Sequence, residues 1–175
     1  MSVPVGKRKP LPTNLQTADY VNNFLTIINH LINSKVLNKP LKVPTTPEEM
    51  ARLHKIELER ERVLENYKSI KYLTLECYSN IMYANAIQDV NANNSKKRYK
   101  LQETAYREAI TIKALLNHCS NCYHLSKKKY KALNDGIEPL IHSLKGWMDW
   151  ELDKCKSLYE EGKFSKSLSF LKEID

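Results

Sequence analysis

Four glycines in 175 residues leave this chain few places to turn, because glycine supplies the backbone conformations that tight turns, hairpin loops and strand bulges require. With apolar residues recurring every three and four positions, that scarcity constrains the chain to long helices. Val21, Phe24, Leu25, Ile28, Leu31 and Ile32 form one stripe, with Thr13 as its N-cap and Pro40 and Pro44 closing the segment. Thr46 followed by Pro47, Glu48 and Glu49 predicts a second helix start, since proline fits the first turn and carboxylates favour the positive end of the helix dipole. Val63, Tyr67, Ile70, Cys77, Ile81, Ala84 and Ile87 carry its core stripe, whereas residues 48–62 are mostly charged and are expected to project or to pack weakly. The polar run from Asp89 to Ser95 reads as a loop that ends in a Ser95 N-cap. Leu101, Ala105, Ala109, Ile112, Leu116, Cys119 and Tyr123 face inward from a third helix. Ser126 starts a fourth, with Tyr130, Leu133, Ile137, Leu140, Leu144 and Trp147 on its stripe and a bend expected near Asp135 and Gly136, ahead of Pro139.

Short connections make successive helices antiparallel neighbours. The predicted fold class is therefore all-α, an antiparallel up-down four-helix bundle with a charged insertion and a short C-terminal helical extension. The expected organisation is a basic, flexible arm over residues 1–12, a bundle over 13–152 with helices at about 14–37, 47–90, 96–123 and 127–152, and an extension over 153–175. In that extension Leu158, Phe164, Leu168 and Leu171 can form one more short helix or pack on a partner. The length suits one domain. No run of about 18 apolar residues is present to span a bilayer and the N-terminus has no apolar signal-peptide core, so a cytoplasmic location without membrane contact is expected. Cys77, Cys119, Cys122 and Cys155 are too sparse for a disulfide framework and are expected as thiols.

The formal net charge of +8 is concentrated. Residues 95–131 hold 10 Lys and Arg against 2 Asp and Glu, a net +8 that equals the whole excess, while residues 1–94 stand at +3 and residues 132–175 at −3. Such a local field suits a polyanion. Within it a pattern repeats at two helix starts: Lys96, Lys97, Arg98, Tyr99, Lys100, and then Lys127, Lys128, Lys129, Tyr130, Lys131. Cations there face the positive end of the macrodipole, which disfavours them by up to about 1 kcal/mol each, and a docked phosphate reverses the sign of that cost. The two starts lie at opposite ends of an antiparallel pair. Tyr99 and Tyr130 can stack on unpaired bases; Tyr130 also continues the core stripe, so Tyr99 is the better placed. Lys7, Arg8 and Lys9 form a further basic arm that can order on RNA or on a protein partner.

Other chemistry finds little support. His118, Cys119, Cys122 and His124 resemble a zinc set only loosely, because the cysteines continue the core stripe and no second cysteine pair follows, so neither metal nor cofactor is expected. There is no glycine-rich phosphate loop, nucleophile elbow or zinc-protease helix, and His30, His54 and His142 stand alone, so no catalytic residue is assigned and the chain is not expected to be an enzyme.

Several short segments nevertheless carry a likeness. The start Met1, Ser2, Val3, Pro4 with Lys7 and Arg8, then Tyr83, Ala84 and Asn85, Lys97 and Arg98 with Leu101 and Gln102, Tyr123 through Lys127, and Ile141 to Trp147 resemble the Avd-type proteins. These are accessory variability determinants of diversity-generating retroelements, related to bundle proteins encoded in ribosomal RNA intervening sequences. The likeness covers about residues 1–9 and 78–150, leaving residues 40–62 as an insertion and 153–175 as an extension. It implies a basic homo-oligomer, typically a pentamer, that binds a reverse transcriptase and RNA without itself being catalytic. The expected function is accordingly a non-catalytic nucleic-acid-binding accessory protein. A protein–protein scaffold with no nucleic-acid role is the alternative, and a small RNA-processing enzyme ranks third. Self-association is expected through Tyr72, Leu75, Tyr78, Met82 and Tyr83, which lie off the core stripe of the second helix.

Overall fold

The computed structural model describes residues 14–34, 39–88, 92–122 and 127–160, and among them the architecture is four helices. These are α1 (Asn14–Ile32), α2 (Pro47–Ala86), α3 (Ala92–Cys122) and α4 (Lys127–Glu160). They pack α1 on α2, α2 on α3, α3 on α4, and α4 back on α1, an all-α four-helix bundle. Asn80 Nδ2 reaches both Glu108 oxygens at 3.1 Å and the Cys77 thiol donates to Ala105 O at 3.4 Å. These contacts tie α2 to α3, which the short connection between Ala86 and Ala92 makes an antiparallel neighbour. Burial holds the Cys77 thiol well above its ordinary pKa and, with Cys119 nearby, pushes Tyr67 up to about 12.

The core is the set of stripes the spacing predicts. Val21, Phe24 and Ile28 of α1, Tyr67, Ile70, Cys77, Ile81 and Ala84 of α2, Ala105, Ala109, Ile112, Leu116 and Cys119 of α3, and Leu133, Ile137, Leu140, Leu144 and Trp147 of α4 enclose one cluster. Leu25, Leu31, Ile32, Val63, Leu101 and Tyr130 flank it, half-buried. Two details seat α1 on α4. Gly136 lies where a Cβ would come within 3.2 Å of Phe24 Cδ2, so the missing side chain lets the helices approach closely. Lower down, the buried hydroxyls of Thr17 and Ser143 share a hydrogen bond of 2.7 Å.

The boundaries depart from expectation at four helix ends. Helix α3 begins at Ala92, so Ser95 lies inside it, fully buried, and does not cap it. Helix α4 is continuous through Pro139 and runs to Glu160, beyond the expected end at 152. Helix α1 ends at Ile32 and α2 at Ala86, earlier than expected. Thr13, Ser126, Tyr123 and residues 161–175 lie outside the described residues.

The start of α2 is a complete capping box: Thr46 Oγ1 accepts from the Glu49 amide at 3.2 Å, and the Glu49 carboxylate accepts from the amides of Thr45 and Thr46. Those hydrogen bonds hold the Glu49 carboxyl below its ordinary pKa. Its core stripe, Tyr67, Ile70, Thr74, Cys77, Ile81 and Ala84, extends back through Val63 and Arg60 to Ile56 and Leu53 with the same alternation of three and four. From the register with α3, about 16 residues, roughly 24 Å at 1.5 Å per residue, stand past the end of the bundle. The segment 39–46 lies along this arm, anchored where Arg60 Nη1 donates to Lys39 O at 2.8 Å.

Candidate nucleic-acid interface

Three cross-helix pairs set α3 against α4. Arg98 Nη2 meets Glu151 Oε2 at 3.1 Å, Lys113 Nζ meets Glu138 Oε1 at 2.5 Å, and the Tyr130 hydroxyl donates to Asn117 Oδ1. This register places the two lysine clusters at opposite ends of the pair, as the antiparallel order predicts. Lys97 and Lys100 are exposed at one end and Lys96 is half-buried; Lys127, Lys128, Lys129 and Lys131 are exposed at the other. Lys7, Arg8 and Lys9 lie outside the described residues.

Arg98 and Tyr99 are corrections to the sequence reading. They are 8% and 6% exposed and point into the protein, so neither belongs to a phosphate-binding or base-stacking surface. Arg98 is turned onto Glu151, whose side chain is 0% exposed, in a cluster with Ser95, Gln102 and Cys155. Burial pushes the Glu151 carboxyl above the usual carboxylate range; the Arg98 charge and the neighbouring polar side chains of Gln102 and Ser95 pull it part of the way back. Burial and the Glu151 charge likewise raise the Cys155 thiol, which makes it a poor nucleophile. Tyr99 packs with Cys155, Met148 and Leu152. Tyr130 is half-buried against the core with its hydroxyl held by Asn117, leaving neither tyrosine as an open stacking platform.

A signal for this inward turn exists in the sequence. Ser95, Arg98 and Gln102 extend the α3 stripe backwards from Ala105 by the same three-four alternation, and Glu151 and Cys155 extend the α4 stripe onwards from Trp147. Polar residues on a core stripe are expected to find each other. The cations midway along the pair are also engaged, Lys113 with Glu138, Arg107 with Glu103 at 2.6 Å, and Lys145 with Asp149 at 3.6 Å.

A second surface lies on α2. Tyr72 and Tyr83 are 63% and 65% exposed, with Leu75 and Met82 beside them, on the side of the helix opposite its core stripe. Tyr78 is not part of that face; it is half-buried against the core. A groove of about 600 Å³ runs between segment 39–46 and the projecting arm, lined among others by Lys39, Leu41, Leu53, Arg60 and Leu64.

Cys119 is buried while His118 is exposed, and the Cys122 side chain and His124 lie outside what is described. Among the described residues no group of three or more His, Cys, Asp or Glu is placed to hold a metal ion, and no helix is long and apolar enough to cross a membrane. Compared with known proteins, the chain matches no family model, no curated protein and no solved structure.

Proposed function

We propose that this protein is a non-catalytic accessory factor that binds nucleic acid through the lysines at the two ends of the α3–α4 pair and acts as a homo-oligomer. The observation that carries the reading is the exposure of Lys97 and Lys100 near the start of α3 and of Lys127, Lys128, Lys129 and Lys131 at the start of α4. Lys127 and Lys128 stand in the first turn of α4, where cations oppose the macrodipole and a bound phosphate reverses that cost, while Lys97 and Lys100, past the first turn of α3, contribute exposed charge. The outward apolar face of α2 supports self-association, because a strip of exposed tyrosine, leucine and methionine gains by being covered. The likeness to Avd-type proteins adds RNA as the ligand and a reverse transcriptase as the protein partner. That same α2 face favours the second reading, a scaffold without a nucleic-acid role.

Salt separates the two. Affinity for structured RNA, read by fluorescence anisotropy between about 50 and 200 mM salt, is expected to fall on a log–log plot with a slope of roughly −0.7 to −0.9 per neutralised phosphate. Changing Lys96, Lys97 and Lys100 to Glu, together with Lys127, Lys128, Lys129 and Lys131, is expected to weaken binding and flatten the slope. Arg98 stays as it is, because its loss would damage the fold. A charge-reversed variant that keeps its helical circular dichroism and binds RNA as tightly as the parent removes the nucleic-acid role and leaves the scaffold.

A further inference from the structure

The two lysine clusters share a face. Lys127 and Lys131 lie on the same line of α4 as Glu138 and Lys145, with steps of four and seven residues, and Lys96 lies on the outer side of α3 in line with Glu103 and Ile110, with Lys113 nearer α4. The Lys113 to Glu138 ion pair joins the two helices. It therefore fixes one long surface with Lys96 and its neighbour Lys100 at one end and Lys127 and Lys131 at the other. From the α3–α4 register the ends are separated by about 22 helical residues, roughly 33 Å at 1.5 Å per residue. Between them the cations meet carboxylates: Arg107 with Glu103, Lys113 with Glu138, Lys145 with Asp149.

A groove for a single strand differs from this surface in both respects. It follows the backbone with continuous positive charge and stacks bases on open aromatic rings, whereas here the middle is ion-paired and the tyrosines nearest the lysines are turned inward or held. A double helix brings equivalent backbone positions back to the same side once per turn, about 34–36 Å in B-form. That repeat matches the spacing of the two ends.

Resting on the nucleic-acid reading above, we infer that the ligand is a duplex lying along the α3–α4 face, gripped by its phosphates one helical turn apart, with the ion-paired middle serving as a spacer. Binding then depends on length. A duplex shorter than one turn, about 10 base pairs, reaches one end only; a longer one makes the second contact intramolecularly and gains in affinity beyond the increase in site number.

The test uses labelled duplexes of 8 and 24 base pairs, in RNA and in DNA, and a 24-nucleotide single strand that does not pair, titrated with the full chain at one salt concentration and then across a salt series. The expected result is at least tenfold tighter binding of a 24-base-pair duplex than of the 8-base-pair one, a salt slope close to twice as steep, and weaker binding of the single strand. Which duplex shows the step identifies A-form or B-form as the geometry read. Reversing one end, by Lys96→Glu with Lys100→Glu or by Lys127→Glu with Lys131→Glu, is expected to remove the length advantage while one-ended binding persists. Glutamine at the same positions serves as the milder pair should a charge reversal lower helical circular dichroism. Equal affinity for single strand and duplex, or a length advantage that survives loss of either end, overturns the duplex inference and leaves nucleic-acid binding intact. Absence of salt-dependent binding to every probe overturns both.

Discussion

Replacing Arg98 by Met keeps most of the apolar stem and removes the charge that faces Glu151. The carboxylate, with its side chain 0% exposed, is then left in a low-dielectric site without its cation. The size of the loss follows from the alternative open to it, which is to take up a proton. From the ordinary value of 4.5 for an unshifted glutamate, holding a proton at pH 7 costs about 1.4 kcal/mol per pH unit, or about 3 kcal/mol in all. That figure sits at the low end of the roughly 3–5 kcal/mol lost when one partner of a buried pair is deleted. The sign with pH is set by the raised pKa. The folded variant keeps a proton that the unfolded chain has released, so folding takes up a proton and stability rises as pH falls from 7 towards 4.5. At pH 5 the loss should shrink to about 1 kcal/mol. Urea unfolding followed by circular dichroism at pH 5 and 7, at one fixed protein concentration because self-association adds to stability, reads both values. The double change Arg98→Met with Glu151→Leu should recover most of the loss, since an apolar pair needs no compensation. A single variant within about 0.5 kcal/mol of the parent at pH 7, or a loss that acid leaves unchanged, would show that Glu151 does not depend on Arg98 for its place in the core.

Two glycines of α4 should respond oppositely to added atoms. Gly136→Val is expected to lower stability by about 1–3 kcal/mol by forcing Phe24 and Ile27 away, while Gly146→Ala, with nothing within 4 Å of the new Cβ, should raise it by about 0.5–1 kcal/mol through helix propensity; thermal melts of the pair check both signs. Changing Tyr72 and Tyr83 together to Glu is expected to reduce the mass measured by light scattering at micromolar protein, with the helical signal retained, whereas a parent already monomeric at that concentration would remove the oligomer from the proposal.

Much of the architecture was legible because apolar periodicity and core burial express the same geometry. Val21, Phe24, Ile70, Ile112, Leu140 and Leu144 lie where a three-four alternation places them, and Thr46 with Glu49 caps α2 as the residue types require. The interface was legible only in part. Local reading treated Lys96 to Lys100 as one basic run, but successive residues of a helix point about 100° apart, so a run of five necessarily faces several directions. What turned Arg98 and Tyr99 inward was the length of α4, which continues far enough to set Glu151, Leu152 and Cys155 opposite them. No local propensity marks that end. The apolar outer side of α2 was visible as residues off the main stripe, yet Tyr78 lies near enough to the stripe's edge to be drawn into the core.

The contact of Thr17 with Ser143 joins residues 126 positions apart in the chain, and α1 and α4 are the first and last helices described. Adjacent elements meet early because closing a short loop costs little chain entropy, while a distant pairing must wait until the intervening chain is already compact. The connections from α2 to α3 and from α3 to α4 are only a few residues long, so these three helices can assemble as a local unit, whereas α1 is tethered through the longer segment that carries residues 39–46. The connectivity thus predicts an order of assembly in which α1 docks last, over Gly136 and against Ser143, and leaves first when the bundle opens.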